Sequence, residues 1–544
     1  MAPLFLLLLI MLSIPNFPIF AFPHSYQHKQ QQLLLRFRDA ISHNNTTSLP
    51  DWSPHRPLCN WSGLTCDSSF QSVLALNLSQ MNLHGTISPV LGNLSSLRSL
   101  DLTNNALSGH IPPQLGQLSS LRSLDLSSNA LTGHIPPQLA QLSRMHKLWL
   151  WANQLQGTIP PSLSACRSLH DLRLSYNQLH GSIPPELTRL TSLKYLYLGG
   201  NYLTGTIPRS LGNLSALVDL YLEENDLTGA VPPGLGRLTH LQVLSLWQNN
   251  LSGTIPSSLG NLSKLTDLYL FENDLAGTIP PELGMLTDLQ LLYLHRNNLS
   301  GTIPSSLGNL SNLTKLTLFK NDLRGTIPPE LGMLTQLQLL YLYKNNLSDT
   351  IPRSLGNLSK LTKLDLSENH LTGPIPSELG MLSQLQLLYL FTNNLSASIP
   401  RSLGNLSALV ELPLQENNLT GTVPTELGML TQLQVLCLRR NYLSGAIPSS
   451  LRNLSKLTDL DLSQNHLQGT VPPELGMLTQ LQFLYLYKNN LLGTIPPSLG
   501  NLSELTELAL SGNHLQGTIP YSLANLSKLK RLELSENQLS GQIA

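Results

Sequence analysis

The sequence predicts an α/β solenoid of about twenty coils, 24 residues each, with one short strand per coil building a parallel sheet on a concave face. Three observations predict it. The pattern LxxLxLxxNxLxGxIP fits Leu97, Leu100, Leu102, Asn105, Leu107, Gly109, Ile111 and Pro112. Its Asn then recurs every 24 residues from Asn105 to Asn537, nineteen copies without an insertion. And no copy can bury its own leucines, so only stacking takes them out of water.

The elements follow in order along each coil. LxLxx alternates with period two, which predicts a short strand with its leucines inward. The Asn sits where the strand turns, and its amide can satisfy free backbone groups there. GxIP starts the return path, Gly allowing a tight bend and Pro fixing φ. LGNLSxL or LGMLTxL closes the coil as a short helical turn on the convex side. At about 4.8 Å per strand, some twenty coils span on the order of 100 Å. An earlier copy, Val73 to Ile87, has Met81 in the Asn slot. Before it, Leu33, Leu34, Phe37, Ala40 and Ile41 are spaced as in a short amphipathic helix.

Charged residues are only 12% of the chain and the formal net charge is +0, so nothing points to a nucleic-acid partner. The N-terminus has an unbroken apolar run from Leu4 to Leu12 and a small residue, Ala21, at a plausible cleavage position. Residues 1–21 read as a secretory signal peptide, although no Lys or Arg precedes the apolar core. No later stretch has the roughly 18 apolar residues of a membrane span. No P-loop, kinase or zinc motif occurs, so no catalytic residue, metal or cofactor is expected. Asp219, Asp267 and Asp459 read as solvated strand-surface groups.

The repeat resembles the leucine-rich repeat, and GxIP resembles its plant extracellular subtype, over residues 73–544. The resemblance implies a leucine-rich repeat superhelix. Cys59-Asn60-Trp61-Ser62-Gly63-Leu64-Thr65-Cys66 matches the CxWxGxxC cap that precedes such repeats in plant receptor kinases and receptor-like proteins. It implies an N-terminal cap over 22–72 and a Cys59–Cys66 disulfide, consistent with secretion. Val73 to Leu94 resembles the first repeat of the receptor-kinase subfamily that senses bacterial peptides. The family implies a secreted or cell-surface protein that recognises a peptide or protein ligand on its concave face, beside a co-receptor kinase, in signalling or defence. QIA at the end supplies no C-terminal cap, so the chain reads as a truncated receptor-kinase ectodomain. The alternatives are a soluble decoy, or a secreted inhibitor of cell-wall-degrading polygalacturonases, whose relatives are shorter and end in a cysteine cap.

Outward strand positions are bland in the first coils and then turn aromatic and cationic. The candidate ligand surface comprises Lys147, Trp149, Trp151, Arg173, Tyr176, Tyr195, Tyr197, Tyr221, Trp247, Tyr269, Phe271, Tyr293 and Arg296. Near-copies recur 48 residues apart from about Gly205 to Gly517, so Tyr269 and Tyr293 equally fit ladder packing and repeat copying. Arg439 and Arg440 resemble the Arg-x-Arg with which peptide-hormone receptors hold a C-terminal carboxylate. Being adjacent, they are expected to point to different sides. Sequons at Asn213, Asn261, Asn309, Asn357 and Asn405 lie in LGNLS, and those at Asn250, Asn298 and Asn346 in NNLS; several are expected to carry glycan. Cys166 takes a core Leu position, Cys437 an outward one. Pro413 should weaken one ladder contact, and Asp349 and Ala397 stand where other coils have Gly.

Overall fold

The computed structural model describes residues 23–41 and 49–541. The expected signal peptide lies outside them. The chain divides into two compact units, one ending at Asp226 and one starting at Leu227.

Each unit is a stack of near-identical coils. In the first, the strands Ser99–Asp101, Ser123–Asp125, Lys147–Trp149, Asp171–Arg173, Tyr195–Tyr197 and Asp219–Tyr221 pair in parallel. Leu100, Leu124, Leu148, Leu172, Leu196 and Leu220 are direct register partners. In the second unit Leu244, Leu268 and Leu292 do the same. The pairing offset is one coil, so every outward side chain faces its own equivalent in the next coil. The inward leucines are fully buried, whereas Leu532 in the last described strand is 43% exposed. The difference shows that the stack, and not the coil, hides them.

The asparagines bind coils together more than the sequence suggests. Asn153 Nδ2 donates to Leu150 O at 3.2 Å in its own coil and to Leu126 O at 3.0 Å in the preceding one. Its Oδ1 accepts from Leu131 N, also one coil back, at 3.0 Å. Met81 cannot do this. The backbone of its coil is served from the following coil, where Asn105 Oδ1 accepts from Met81 N and Leu83 N.

Two features refine the sequence reading. The expected helical turns on the convex side are 3₁₀, as at Pro113–Gln117; the α-helix among the described residues is Pro23–Ile41. The coils are also packed tightly there, since a Cβ on Gly116 would lie 2.3 Å from Gln138 O. Second, the xLxGx segment is not merely a bend. Ala106–His110 and Ala130–His134 pair in parallel, the start of a second ladder. Its backbone groups need partners as much as those of the first strand, and equal coil length presents them at strand spacing.

Local departures have local effects. Pro413 lacks an N–H, and its strand Glu411–Pro413 keeps a single register pair with the preceding strand, Leu387 with Glu411. Ala397 stands in the Gly slot at φ +64°. The second ladder is interrupted beside it, with an isolated bridge between Ser398 and Thr420.

The N-terminal helix buries Leu34, Phe37 and Ile41. Trp52 and Trp61 stack at 5.1 Å beneath it. Cys59 and Cys66 are joined by a disulfide. Gln30 is buried and acts as a backbone surrogate: Nε2 donates to Gln71 O at 3.1 Å, and Oε1 accepts from Val73 N at 2.9 Å.

Candidate ligand-binding surface

In the first unit the in-register row Trp149, Arg173, Tyr197, Tyr221 forms one cluster. The Arg173 guanidinium is sandwiched, 4.6 Å from the Trp149 ring and 4.6 Å from the Tyr197 ring. Asp171, two residues earlier in the same strand, grips it through Nε at 2.9 Å and Nη2 at 3.1 Å. Burial works against the arginine's charge, but Asp171 outweighs it and the guanidinium is held more firmly protonated than usual. Tyr197 meets Tyr221 edge-on at 4.5 Å and donates its hydroxyl to Asp219 at 2.8 Å. Burial, then that bond, push the phenol's pKa up, so it stays a donor. Lys147 Nζ lies 5.1 Å from the Trp149 ring. Trp149 Nε1 is buried and meets no acceptor.

Beside this cluster is an open cavity of about 370 Å³, lined by Trp151, Arg173, Ser175, Tyr176, Tyr197, Tyr221 and Glu223. The Glu223 side chain in its wall lies over Gly199, where a Cβ would strike Glu223 Oε1 at 2.5 Å. Trp151 is 36% and Tyr176 54% exposed. Tyr195 lies in the neighbouring row, opposite Asp171 and Asp219, and does not line the cavity.

In the second unit the sequence reading ends the surface at Arg296, but the aromatic row runs on. Trp247, Phe271, His295, Phe319 and Tyr343 form a near-parallel stack with ring centroids 5.0, 4.4, 4.2 and 4.3 Å apart. His295, Phe319 and Tyr343 complete the stack and are absent from the candidate set. The signal was available, an aromatic at every 24th position, but an isolated His or Phe does not read as a ring in a stack. Tyr269 and Tyr293 meet edge-on at 5.3 Å, which is ladder packing. Ser367, buried against Asp365, takes the next position after Tyr343 and ends the row. His295 Nδ1 and Thr317 Oγ1 share a 2.7 Å hydrogen bond. Burial, helped by Arg296 and Lys320, lowers its pKa to about 4, so the ring in the stack is neutral. Arg296 itself pairs with Glu272 of the preceding coil.

Arg439 and Arg440 do not part company as expected. Both reach Glu416 Oε1, at 3.9 and 2.9 Å, because Arg440 has a left-handed φ of +53° that swings it back over the previous coil. Glu416 is held ionised: burial opposes its charge, and the bonds from Arg440 and Thr392 outweigh that. A polar depression of about 590 Å³ lies beside them, with Glu416, Arg440, Tyr442, His466 and Lys488 in its wall.

Of the sequons, Asn213, Asn250, Asn261, Asn298, Asn309, Asn357 and Asn405 are exposed. Asn346 is partly buried and its Nδ2, the atom that would carry glycan, donates to Asp322. Cys166 is buried, and Cys437 has its thiol pushed up to about 12 by burial and Asp461, so neither is a ready nucleophile. Among the described residues no group of His, Cys, Asp and Glu is placed to hold a metal, and no helix is long and apolar enough to cross a membrane.

Comparison with known proteins agrees with this architecture. The family model for a leucine-rich repeat region matches residues 151–326 and 327–469, and that for a leucine-rich repeat N-terminal domain matches 28–67. Further leucine-rich repeat models match 479–539, 96–118 and 120–142. The chain is 42% identical over 81 residues to the LRR receptor-like serine/threonine-protein kinase EFR of Arabidopsis thaliana, 15% of this chain and 8% of that one. It spans less than a tenth of the length of the curated relatives it matches first. Among solved structures it is similar to the plant peptide hormone receptor RGFR1 in complex with RGF2, with TM-score 0.77 and 35% identity over 89% of this chain and 84% of that one. It is also similar to the Arabidopsis receptor kinase HAESA in complex with the peptide hormone IDA and the co-receptor SERK1, with TM-score 0.65 and 32% identity over 94% and 98% of the two chains. Nineteen in-register coils, an asparagine ladder and a disulfide-closed cap thus have one reading: the chain belongs to the leucine-rich repeat family and resembles the ectodomains of plant leucine-rich repeat receptors.

Proposed function

We propose that this chain is the extracellular ligand-recognition part of a plant receptor, and that it binds a peptide or protein through the aromatic strand face of its first unit. The observation that carries the reading is the Trp149–Arg173–Tyr197 sandwich beside the cavity under Trp151 and Tyr176. Rigid aromatic rings and a pinned arginine lose little entropy on binding and are frequent interface anchors. Asp171 fixes the guanidinium plane through bonds to Nε and Nη2. The likeness to RGFR1 and HAESA, each solved with a peptide hormone, supports a peptide as the ligand. The co-receptor in the HAESA complex supports a kinase ectodomain as second partner. Cell-surface signalling or defence is the setting this implies.

The test is selection of a displayed library of short peptides on the glycosylated full chain. Selected peptides should bind a Trp151→Ala/Tyr176→Ala variant at least about tenfold more weakly, the loss expected of interface anchors. Equal binding to the variant would place the ligand elsewhere.

A further inference from the structure

One edge of the first unit carries a second kind of row. Immediately before the strands, coil after coil, stand Arg98, Arg122, His146, His170 and Lys194. Their backbones are bonded directly to one another. Arg122 N donates to Arg98 O at 2.7 Å, His146 N to Arg122 O at 2.7 Å, His170 N to His146 O at 2.8 Å and Lys194 N to His170 O at 2.8 Å. The five therefore stand in line at about 4.8 Å intervals. The two histidine rings meet edge-on at 5.3 Å. Arg98, Arg122, His146 and Lys194 are exposed.

Nothing on this edge neutralises the charge. Over residues 94–99, 118–123, 142–147, 166–171 and 190–195 the single carboxylate is Asp171, which is 4% exposed and taken up by Arg173. Arg144 and Arg167 add two more exposed cations to the same stretches. A row of like charges this close is mutually repulsive.

The fold does not need it. In the second unit the same position reads Gln242, Thr266, Gln290, Thr314, Gln338 and Thr362, with the same backbone bonds. Arg98 and Arg122 share the segment LSSLRSLDL and fit copying, but His146, His170 and Lys194 stand in coils of different sequence and keep the basic character. Asn93 in the coil of Arg98 is an N-x-S/T site, but none occurs between it and Asn213, so the coils of Arg122, His146, His170 and Lys194 are free of the sequons that recur through the second unit.

The row lacks the aromatic and aliphatic anchors of a protein interface. It offers instead a straight line of basic side chains at a constant step, in which Arg98, Arg122 and Lys194 are the permanent cations while burial lowers the pKa of His146, and such a line complements a polymer with anions spaced along its length. We propose that this edge binds a linear acidic polysaccharide, a polyuronate whose carboxylates lie along the line from Arg98 to Lys194. Binding runs through many weak ion contacts and counterion release, so it is salt-sensitive. It uses no residue of the peptide surface and stands or falls independently of it.

The experiment measures binding of the full chain to polygalacturonate by interferometry, at low and high salt, against the fully methyl-esterified polymer. The variant replaces Arg98, Arg122, His146 and Lys194 by Gln, the residue the second unit tolerates at this position, and circular dichroism checks its fold. A single Lys194→Glu variant provides a milder second reading. The expected result is binding to the acidic polymer only, loss at high salt, at least about tenfold weakening in the quadruple variant and a measurable weakening in the single one. Equal binding of the esterified polymer, no binding of polygalacturonate, or unchanged binding by both variants would overturn the proposal. So would capture of an acidic protein by this edge with no polygalacturonate bound.

Discussion

A single asparagine such as Asn153 spends its whole amide on backbone, reaching Leu126 and Leu131 of the preceding coil and Leu150 of its own. A buried amide with every partner supplied by main chain tolerates no change of coil length, which is why nineteen copies keep step. At the same scale, His295 makes a pH-dependent prediction. Its pKa in the fold is lowered to about 4 from 6.5, so between those values the unfolded coil binds the extra proton and the folded one does not. Its contribution to stability is present above pH 6.5 and is lost as pH falls toward 4. His295→Phe keeps a ring in the stack and removes the titration. Hydrogen exchange of coil 291–319 should become faster from pH 6.5 to 4 in the wild type, relative to the variant at each pH. Identical profiles would show that the histidine is not held neutral.

At the scale of the element, the outward rows are where this chain is individual. The two inward rows of the strands are Leu throughout, whereas the row through Trp247, Phe271, His295, Phe319 and Tyr343 is a stack that Ser367 terminates. Aromatic residues at those positions were legible in the sequence; their face-to-face geometry was not, because it depends on rotamers set by the ring in the next coil. The Arg439–Arg440 pair shows the same limit. Strand alternation sends neighbours apart, but a left-handed φ at Arg440 brings both to Glu416. That dihedral also yields a stability prediction elsewhere. Ala397 holds φ +64° where the equivalent Gly373 and Gly421 are unstrained. Ala397→Gly should stabilise the coil by about 0.5–1 kcal/mol and slow exchange of the amides from Asn394 to Thr422. A destabilised or unchanged segment would mean the interruption of the second ladder there has another cause.

At the scale of the molecule, coils contact their neighbours and little else, so perturbations should decay with distance along the stack. Leu364 is fully buried between Leu340 and Leu388. Leu364→Ala should cost about 2–5 kcal/mol, with faster exchange in the coils on either side and none in the first unit. Exchange rising uniformly through both units would instead indicate a single cooperative block.

The sequence by itself determined the coil length, the inward leucines, the asparagine turns and the cap, because each is a periodic or local signal that survives without knowledge of neighbours. It also marked Trp149, Trp151, Arg173 and Tyr197 as candidates. Only the tertiary structure decided that Arg173 is clamped between two rings, that Trp151 and Tyr176 border a cavity beside it and that Arg98 to Lys194 fall in one line. Those facts arise from side chains 24 residues apart meeting across stacked coils. Their meeting is set by the offset between strands and not by any stretch of chain.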